Sequence, residues 1–126
     1  MLPKTDILVN LLPLTSDTRH LLDKTMLGLL PREGRLINFS RGAVVENKGL
    51  LELLDNGHLA HAVLDVFEQE PLPTESSLWS HPKITVLPHI SAPTTISSSA
   101  RVVARNVRLF REEGEVPLSV DPVQGY

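Results

Sequence analysis

Cysteine is absent from the 126-residue chain, which excludes disulfides and thiol chemistry. Acidic residues outnumber basic residues, 15 to 12. Together with the lack of any arginine-rich run, this argues against a nucleic-acid partner. No apolar run approaches the roughly 20 residues that a membrane helix needs, and the N-terminus lacks the pattern of a signal peptide. We therefore expect a cytoplasmic, globular chain without a membrane or nucleic-acid partner.

What is present is an alternation of apolar runs and helical patterns. Asp23 is a candidate N-cap, Asn56-Gly57 is a stop signal, and Gly114 ends the last helical pattern. Alternation of this kind predicts an α/β fold with a parallel sheet. The sequence predicts strands within 6–12, 32–39, 59–67 and 83–88, and helices within 23–31, 45–57 and 97–113.

Chemically active side chains follow the predicted strands, at the point where each strand ends. Arg41 follows the second strand, Asp65 lies at the end of the third, and His89 follows the fourth. Glu70 lies in the proline-rich loop after the third strand. Ligands of open parallel sheets bind outside the carboxyl ends of the strands. We therefore expect these four side chains to gather at one edge.

Arginine, glutamate and histidine together suit the reduction of a 2-oxo acid. The guanidinium of Arg41 presents a fixed fork of donors to a carboxylate or a neighbouring carbonyl oxygen. His89 can give or take a proton near neutral pH, and Glu70 would orient the imidazole and favour its charged form. Taken singly, each residue also has an ordinary structural interpretation, so the hypothesis depends on all of them sharing one edge.

Several motifs, in order and in register, resemble one known family. The segments INFSRGAVV (37–45), LDVFEQEPLP (64–73) and LPHIS (87–91) look like signatures of the D-isomer-specific 2-hydroxyacid dehydrogenases. The ending looks most like the glyoxylate/hydroxypyruvate reductase A branch. The resemblance implies the latter half of a Rossmann-type dinucleotide-binding domain in residues 1–95. It also implies a C-terminal crossing helix and tail in residues 96–126 that would pack on a substrate domain.

The resemblance also implies a role for each matching residue. Arg41 matches the substrate-binding arginine, Glu70 the acid that partners the histidine, and His89 the proton donor. Asp65 matches an aspartate near the nicotinamide carboxamide. The remaining positions match segments that contact the cofactor, NADP or NAD: Leu12, Pro13, Thr15, Phe39, Ser40, Ser91 and Ala92, with Arg41 and His89 contributing as well.

One departure from the family pattern is the absence of the pyrophosphate-binding turn. The glycines stand at positions 28, 34, 42, 49, 57, 114 and 125, and no two have G-x-G spacing. The residue that selects NAD or NADP is missing with that turn, so the choice of cofactor stays open. We expect the C-terminal portion of a longer enzyme, with half of a cofactor site and little turnover on its own.

Other interpretations remain open at this stage. The same fold occurs in corepressors that sense dinucleotides without catalysis, and an inactive fragment is a third possibility. Trp79 is either a packing anchor of its loop or a substrate contact. His58 and His61 lack a third ligand, so no metal site is expected. Complete family members are commonly dimers, so we expect a homo-oligomer with a small 2-oxo or 2-hydroxy acid as substrate.

Overall fold

A computed structural model describes residues 1–114 and residue 120, which fall into two compact units divided between Ser91 and Ala92. The first unit is built on a sheet of four strands, all parallel, in the order β1-β2-β3-β4. This confirms the α/β class that the sequence predicts. The strands are β1 (Ile7–Asn10), β2 (Gly34–Asn38), β3 (Leu59–Leu64) and β4 (Ile84–Val86), and the helices of the unit are α1 (Lys24–Leu27) and α2 (Asn47–Asp55).

Helix ends follow the capping chemistry of the sequence. The carboxylate of Asp23 accepts a hydrogen bond from the backbone amide of Met26 at 2.8 Å, which confirms it as the N-cap of α1. Gly57 follows α2 with a φ of +75°, a left-handed conformation that glycine adopts without steric cost. The predicted stop at Asn56-Gly57 is therefore confirmed.

Several elements are shorter than their apolar patterns suggest, and β1 and α2 show why. β1 ends at Asn10, and the next residues, Leu11 and Leu12, leave the sheet with 70% and 42% of their surface exposed. α2 begins at Asn47 because the preceding residues have other partners. Gly42–Val44 form a 3-10 turn, and Val45 makes an isolated parallel bridge with Leu22.

The core lies between α2 and the sheet. Leu50 and Leu54 are four residues apart on α2, and both are fully buried. They belong to one hydrophobic cluster with the inward side chains of the strands, including Leu36, Leu59 and Leu64. Burying this face against the sheet holds the strand ends in place, and those ends carry the candidate site.

The second unit contains helix α3 (Ile96–Glu113), which ends at Gly114 with a φ of +70°. Its apolar side chains are exposed, at 50% to 88%: Ile96, Val102, Val103, Val107 and Phe110. Within the described part of the chain, no helix combines the length and apolar character needed to cross a membrane.

Candidate functional site

The carboxyl ends of the four strands are held together by backbone hydrogen bonds that continue past the sheet. The amide of Asp65 donates to the carbonyl of Asn38 at 3.1 Å, and the amide of Leu87 donates to the carbonyl of Leu64 at 2.9 Å. The segments that leave β2, β3 and β4 therefore start side by side. This arrangement brings the predicted strand-end residues to one edge of the sheet.

Arg41, Glu70 and His89 line one cavity of about 370 Å³ at that edge. The volume is within the range of small-molecule sites. Three separate segments of the chain supply the three side chains, as the parallel topology predicts. The structure therefore brings together the residues to which the sequence assigned substrate binding and proton transfer.

His89 and Glu70 form a hydrogen-bonded pair at the wall of this cavity. Nδ1 of His89 lies 2.8 Å from Oε2 of Glu70, and the backbone amide of Phe67 donates to Oε1 of Glu70 at 2.9 Å. The Phe67 amide is the largest influence that lowers the pKa of Glu70, with further lowering from His89 and from the charge of Arg41. Glu70 is therefore a carboxylate that orients the imidazole through Nδ1, and among the hydrogen bonds of the described residues Nε2 makes none.

Asp65 holds the backbone of the segment that carries His89. Its side chain is 1% exposed, and its two oxygens accept hydrogen bonds from the amides of Ile90 at 2.9 Å and Ser91 at 2.8 Å. Burial acts to raise the pKa of Asp65, but hydrogen bonds from Ser91 and Ile90, with the charge of His89, bring the pKa below its usual value. The carboxylate thus spans the turn in which His89 adopts a φ of +55°.

Arg41 stands at the opening of the cavity with most of its donors available. Among the hydrogen bonds of the described residues, its guanidinium makes one, from Nη1 to the carbonyl of Ser40 at 2.8 Å. The next residue, Gly42, lies directly against the backbone of Phe67, where a Cβ atom would come within 1.9 Å of the Phe67 carbonyl carbon. A glycine is therefore required for the Arg41 turn to approach the Glu70 loop.

The predicted cofactor segments also lie at this edge. The hydroxyl of Ser40 donates a hydrogen bond to the carbonyl of Leu12, which joins two of the predicted segments directly. Phe39, Leu12 and Pro13 present exposed apolar surface, and the Thr15 hydroxyl accepts from the amide of Asp17. Ser91 lies on the segment held by Asp65, whereas Ala92 belongs to the second unit. Contact of these residues with a cofactor stays a prediction.

Sequence reasoning missed two charged residues that line the same cavity, Arg19 and Glu68. Oε1 of Glu68 lies 3.5 Å from Nη1 of Arg19 and 3.1 Å from Nε2 of His20. These contacts join the loop after β1 to the loop after β3. Arg19 does not stand at the end of a predicted strand, so the rule that ligands bind at strand ends gave no signal for it. Glu68 directly follows the strand predicted within 59–67, but it was not singled out there.

Trp79 lines a second, mostly apolar cavity of about 490 Å³, which shares Phe67, Glu70 and His89 with the first. Its Nε1 donates to the carbonyl of Pro73 at 2.9 Å, so the indole is anchored within its own loop although 53% of its surface is exposed. Both interpretations of Trp79 therefore remain open.

The two histidines weighed as a metal pair have separate protein partners. Nε2 of His58 lies 3.0 Å from the carbonyl of Leu30, whereas Nε2 of His61 lies 2.9 Å from the Thr85 hydroxyl. Each imidazole therefore has a structural contact of its own. Within the described residues, no group of three or more ligating side chains is placed to hold a metal ion.

Comparison with known proteins gives a consistent result. A family model described as "D-isomer specific 2-hydroxyacid dehydrogenase, NAD binding domain" matches residues 1–91. Glyoxylate/hydroxypyruvate reductase A of Klebsiella pneumoniae is 38% identical over 122 residues, which cover 97% of this chain. The corresponding protein of Salmonella paratyphi B is 39% identical over 125 residues. The chain spans 39% and 40% of the length of these relatives.

Solved structures match over nearly the whole chain. A D-isomer specific 2-hydroxyacid dehydrogenase from Xanthobacter autotrophicus, in complex with NADPH and MES, has a TM-score of 0.93 and 40% identity. The match covers 99% of this chain and 52% of that one. An NADPH-dependent glyoxylate/hydroxypyruvate reductase from Sinorhizobium meliloti, in complex with NADP and sulfate, has a TM-score of 0.92 and 38% identity. The match covers 99% of this chain and 41% of that one.

Proposed function

Because this chain belongs to the D-isomer-specific 2-hydroxyacid dehydrogenase family, we propose that it supplies the substrate-binding and proton-transfer side of a 2-oxo acid reductase. Glyoxylate and hydroxypyruvate are the proposed substrates, since the relatives named after these compounds match almost all of the chain. The observation that carries the proposal is the convergence of Arg41, Glu70 and His89 on one cavity.

Each of the three side chains has a defined part in the proposed reaction. Arg41 binds the substrate carboxylate and polarises the neighbouring carbonyl through its free donors. Protonated His89 donates a proton from Nε2 to the carbonyl oxygen as that oxygen gains negative charge. Glu70 holds Nδ1 at 2.8 Å and stabilises the imidazolium. In the reverse direction, neutral His89 accepts the hydroxyl proton.

The edge of the sheet fits part of a nicotinamide dinucleotide. Exposed Leu12, Pro13 and Phe39 offer apolar surface, and parallel α/β sheets bind such ligands at this edge. When bound, NADPH or NADH supplies the hydride that reduces the carbonyl carbon. The chain contributes no G-x-G-x-x-G turn, so it lacks that means of binding the pyrophosphate. We propose that a complete cofactor site needs residues beyond this chain.

The buried Asp65 fits an indirect part in this site. Both of its oxygens are occupied by backbone amides, so we propose that it orients the His89–Ser91 segment toward the cofactor. The resemblance implied a cofactor-binding place for Asp65 near the nicotinamide carboxamide, and in this proposal Asp65 serves there as a positioning residue.

The direct test is oxidation of NADPH and NADH in the presence of glyoxylate or hydroxypyruvate. We would assay the purified chain alone and with the N-terminal portion of the Sinorhizobium meliloti reductase supplied as a separate polypeptide. We expect little turnover by the chain alone and measurable turnover by the mixture. Arg41→Ala should lower kcat/KM of the mixture by about a hundredfold or more, because a charged donor to the reacting acid is lost.

Arg35→Ala is the matched control, because Arg35 is an exposed arginine near the other end of the same strand. It should leave kcat/KM nearly unchanged. Equal losses in the two variants would contradict the role of Arg41. Dinucleotide binding by the mixture without any turnover would favour the non-catalytic sensing function instead.

A further inference from the structure

Two buried asparagines lie opposite each other at the carboxyl ends of β1 and β2. Asn10 and Asn38 are paired in the strand register, and 3% and 1% of their surfaces are exposed. Nδ2 of Asn10 donates to Oδ1 of Asn38 at 2.9 Å. Buried amides need hydrogen-bond partners, and here each side chain supplies one to the other.

Backbone partners fix the orientation of both amides. Oδ1 of Asn38 accepts from the amide of Ser40 at 3.2 Å, and Nδ2 of Asn38 donates to the carbonyl of Arg41 at 3.1 Å. Oδ1 of Asn10 accepts from the amide of Leu12 at 3.2 Å. A backbone amide can only donate and a backbone carbonyl can only accept, so neither side chain can flip without losing these bonds.

The bonds form one directional path. It runs from the Leu12 amide to Asn10, from Asn10 to Asn38, and from Asn38 to the Arg41 carbonyl. We propose that Asn10 and Asn38 are positioning residues that fix the loop after β1 relative to Arg41. The hydroxyl of Ser40, which donates to the Leu12 carbonyl, closes the same circuit from the other side.

The consequence for chemistry rests on the proposed function, in which the Leu12 loop flanks the cofactor and Arg41 binds the substrate. Hydride transfer needs the two reactants within a narrow range of distance and angle, and small misplacements cost large factors in rate. A rigid, buried amide pair between the two loops keeps that distance. Neighbouring hydrogen bonds in such a path also strengthen one another.

The coupling can be measured without substrate or cofactor, by amide hydrogen exchange and NMR on the purified chain. Asn38→Ala should accelerate exchange of the Leu12 amide by about tenfold, although Asn38 does not bond Leu12. In the reciprocal measurement, Asn10→Ala should shift the Nε–Hε signal of Arg41, which Asn10 does not bond. The matched control is Asn56→Ala, since Asn56 also accepts from a backbone amide, that of His58, outside the path.

A conservative variant adds a reversible readout and covers the case in which Asn38→Ala does not fold. In Asn38→Asp, the carboxylate cannot donate to the Arg41 carbonyl, whereas the protonated acid can. As the acid is protonated, exchange of the Leu12 amide should slow to the rate of the wild-type chain at the same pH. Burial raises the pKa of that acid, which brings the change to milder pH.

Unchanged Leu12 exchange in folded Asn38→Ala, or an Arg41 signal indifferent to Asn10→Ala, would overturn the proposal. So would fast exchange in Asn38→Asp that does not respond to pH. Because these measurements involve no turnover, a mixture that stays inactive while the loops of the chain are coupled would refute the proposed reaction alone. An active mixture with uncoupled loops would refute the positioning role alone.

Discussion

Asp65 acts through its hydrogen bonds to the main chain, and a near-isosteric substitution isolates its contribution to stability. In Asp65→Asn, one acceptor oxygen becomes an NH₂ group that faces a backbone amide donor. We expect the free energy of unfolding to fall by about 1–3 kcal/mol, the cost of leaving a buried donor unpaired. Chemical denaturation measures this change. Asp17→Asn, at an exposed loop position, should change stability by about 0.5 kcal/mol or less.

Gly42 is the residue at which the site tolerates a side chain least. A Cβ at this position would come within 1.9 Å of the Phe67 carbonyl carbon and 2.2 Å of the Glu68 amide nitrogen. Gly42→Ala should therefore cost about 3 kcal/mol or more, because only a backbone shift can relieve the clash. Gly57→Ala is the control, since its φ is +75° but an added Cβ would meet no atom within 4 Å beyond its chain neighbours. A cost of about 1–2 kcal/mol is expected there, and equal costs in both variants would contradict this account.

Among the single residues, Arg41 and His89 were predicted from the rule that ligands bind at the carboxyl ends of parallel strands, because both follow apolar strands. Glu70 was placed from its loop and from the family resemblance. The importance of Asn10 and Asn38 was not predicted, although each stands at the end of an otherwise apolar strand. Their pairing depends on strand register, which the sequence alone did not give for β1 and β2.

Among the structural elements, the loop after β3 and the turn after β4 are joined by the Glu70–His89 pair. In the folded state the Phe67 amide, followed by His89, lowers the pKa of Glu70, so the stability that Glu70 contributes is present above the unfolded pKa and is lost as pH falls through the folded pKa. We expect Glu70→Gln to flatten the acid limb of stability against pH. Asp65 should still contribute in the same direction. Denaturant midpoints from neutral to acid pH provide the measurement, and an unchanged acid limb would contradict the lowered pKa of Glu70.

The order and type of the elements were readable from apolar periodicity, but several boundaries were not. The apolar run that contains β1 continues through Leu12, but the strand stops at Asn10. There the side-chain Oδ1 of Asn10 accepts a hydrogen bond from the backbone amide of Leu12. The 3-10 turn at Gly42–Val44 was missed because its apolar residues resemble the start of α2. Tertiary contacts, here the approach of Gly42 to Phe67, decided that boundary.

For the whole molecule, the exposed apolar face of α3 predicts association. Val103 and Val107 are four residues apart, and 59% and 50% of their surfaces are exposed. The double variant Val103→Lys and Val107→Lys should shift sedimentation toward monomer, because charge on this face opposes its burial. Glu112→Lys changes the net charge by the same amount and is the control. Equal sedimentation of the double variant and the wild-type chain would contradict association through this face.

The proposed site for a 2-oxo acid is formed where three strands of this chain end. The most direct measurement is an NMR titration of the chain with oxamate, an unreactive analogue, observed at the imidazole of His89. We predict a saturable shift that disappears in Arg41→Ala and persists in Arg35→Ala. No shift in the wild-type chain, or the same shift in Arg41→Ala, would contradict a 2-oxo acid site at these strand ends.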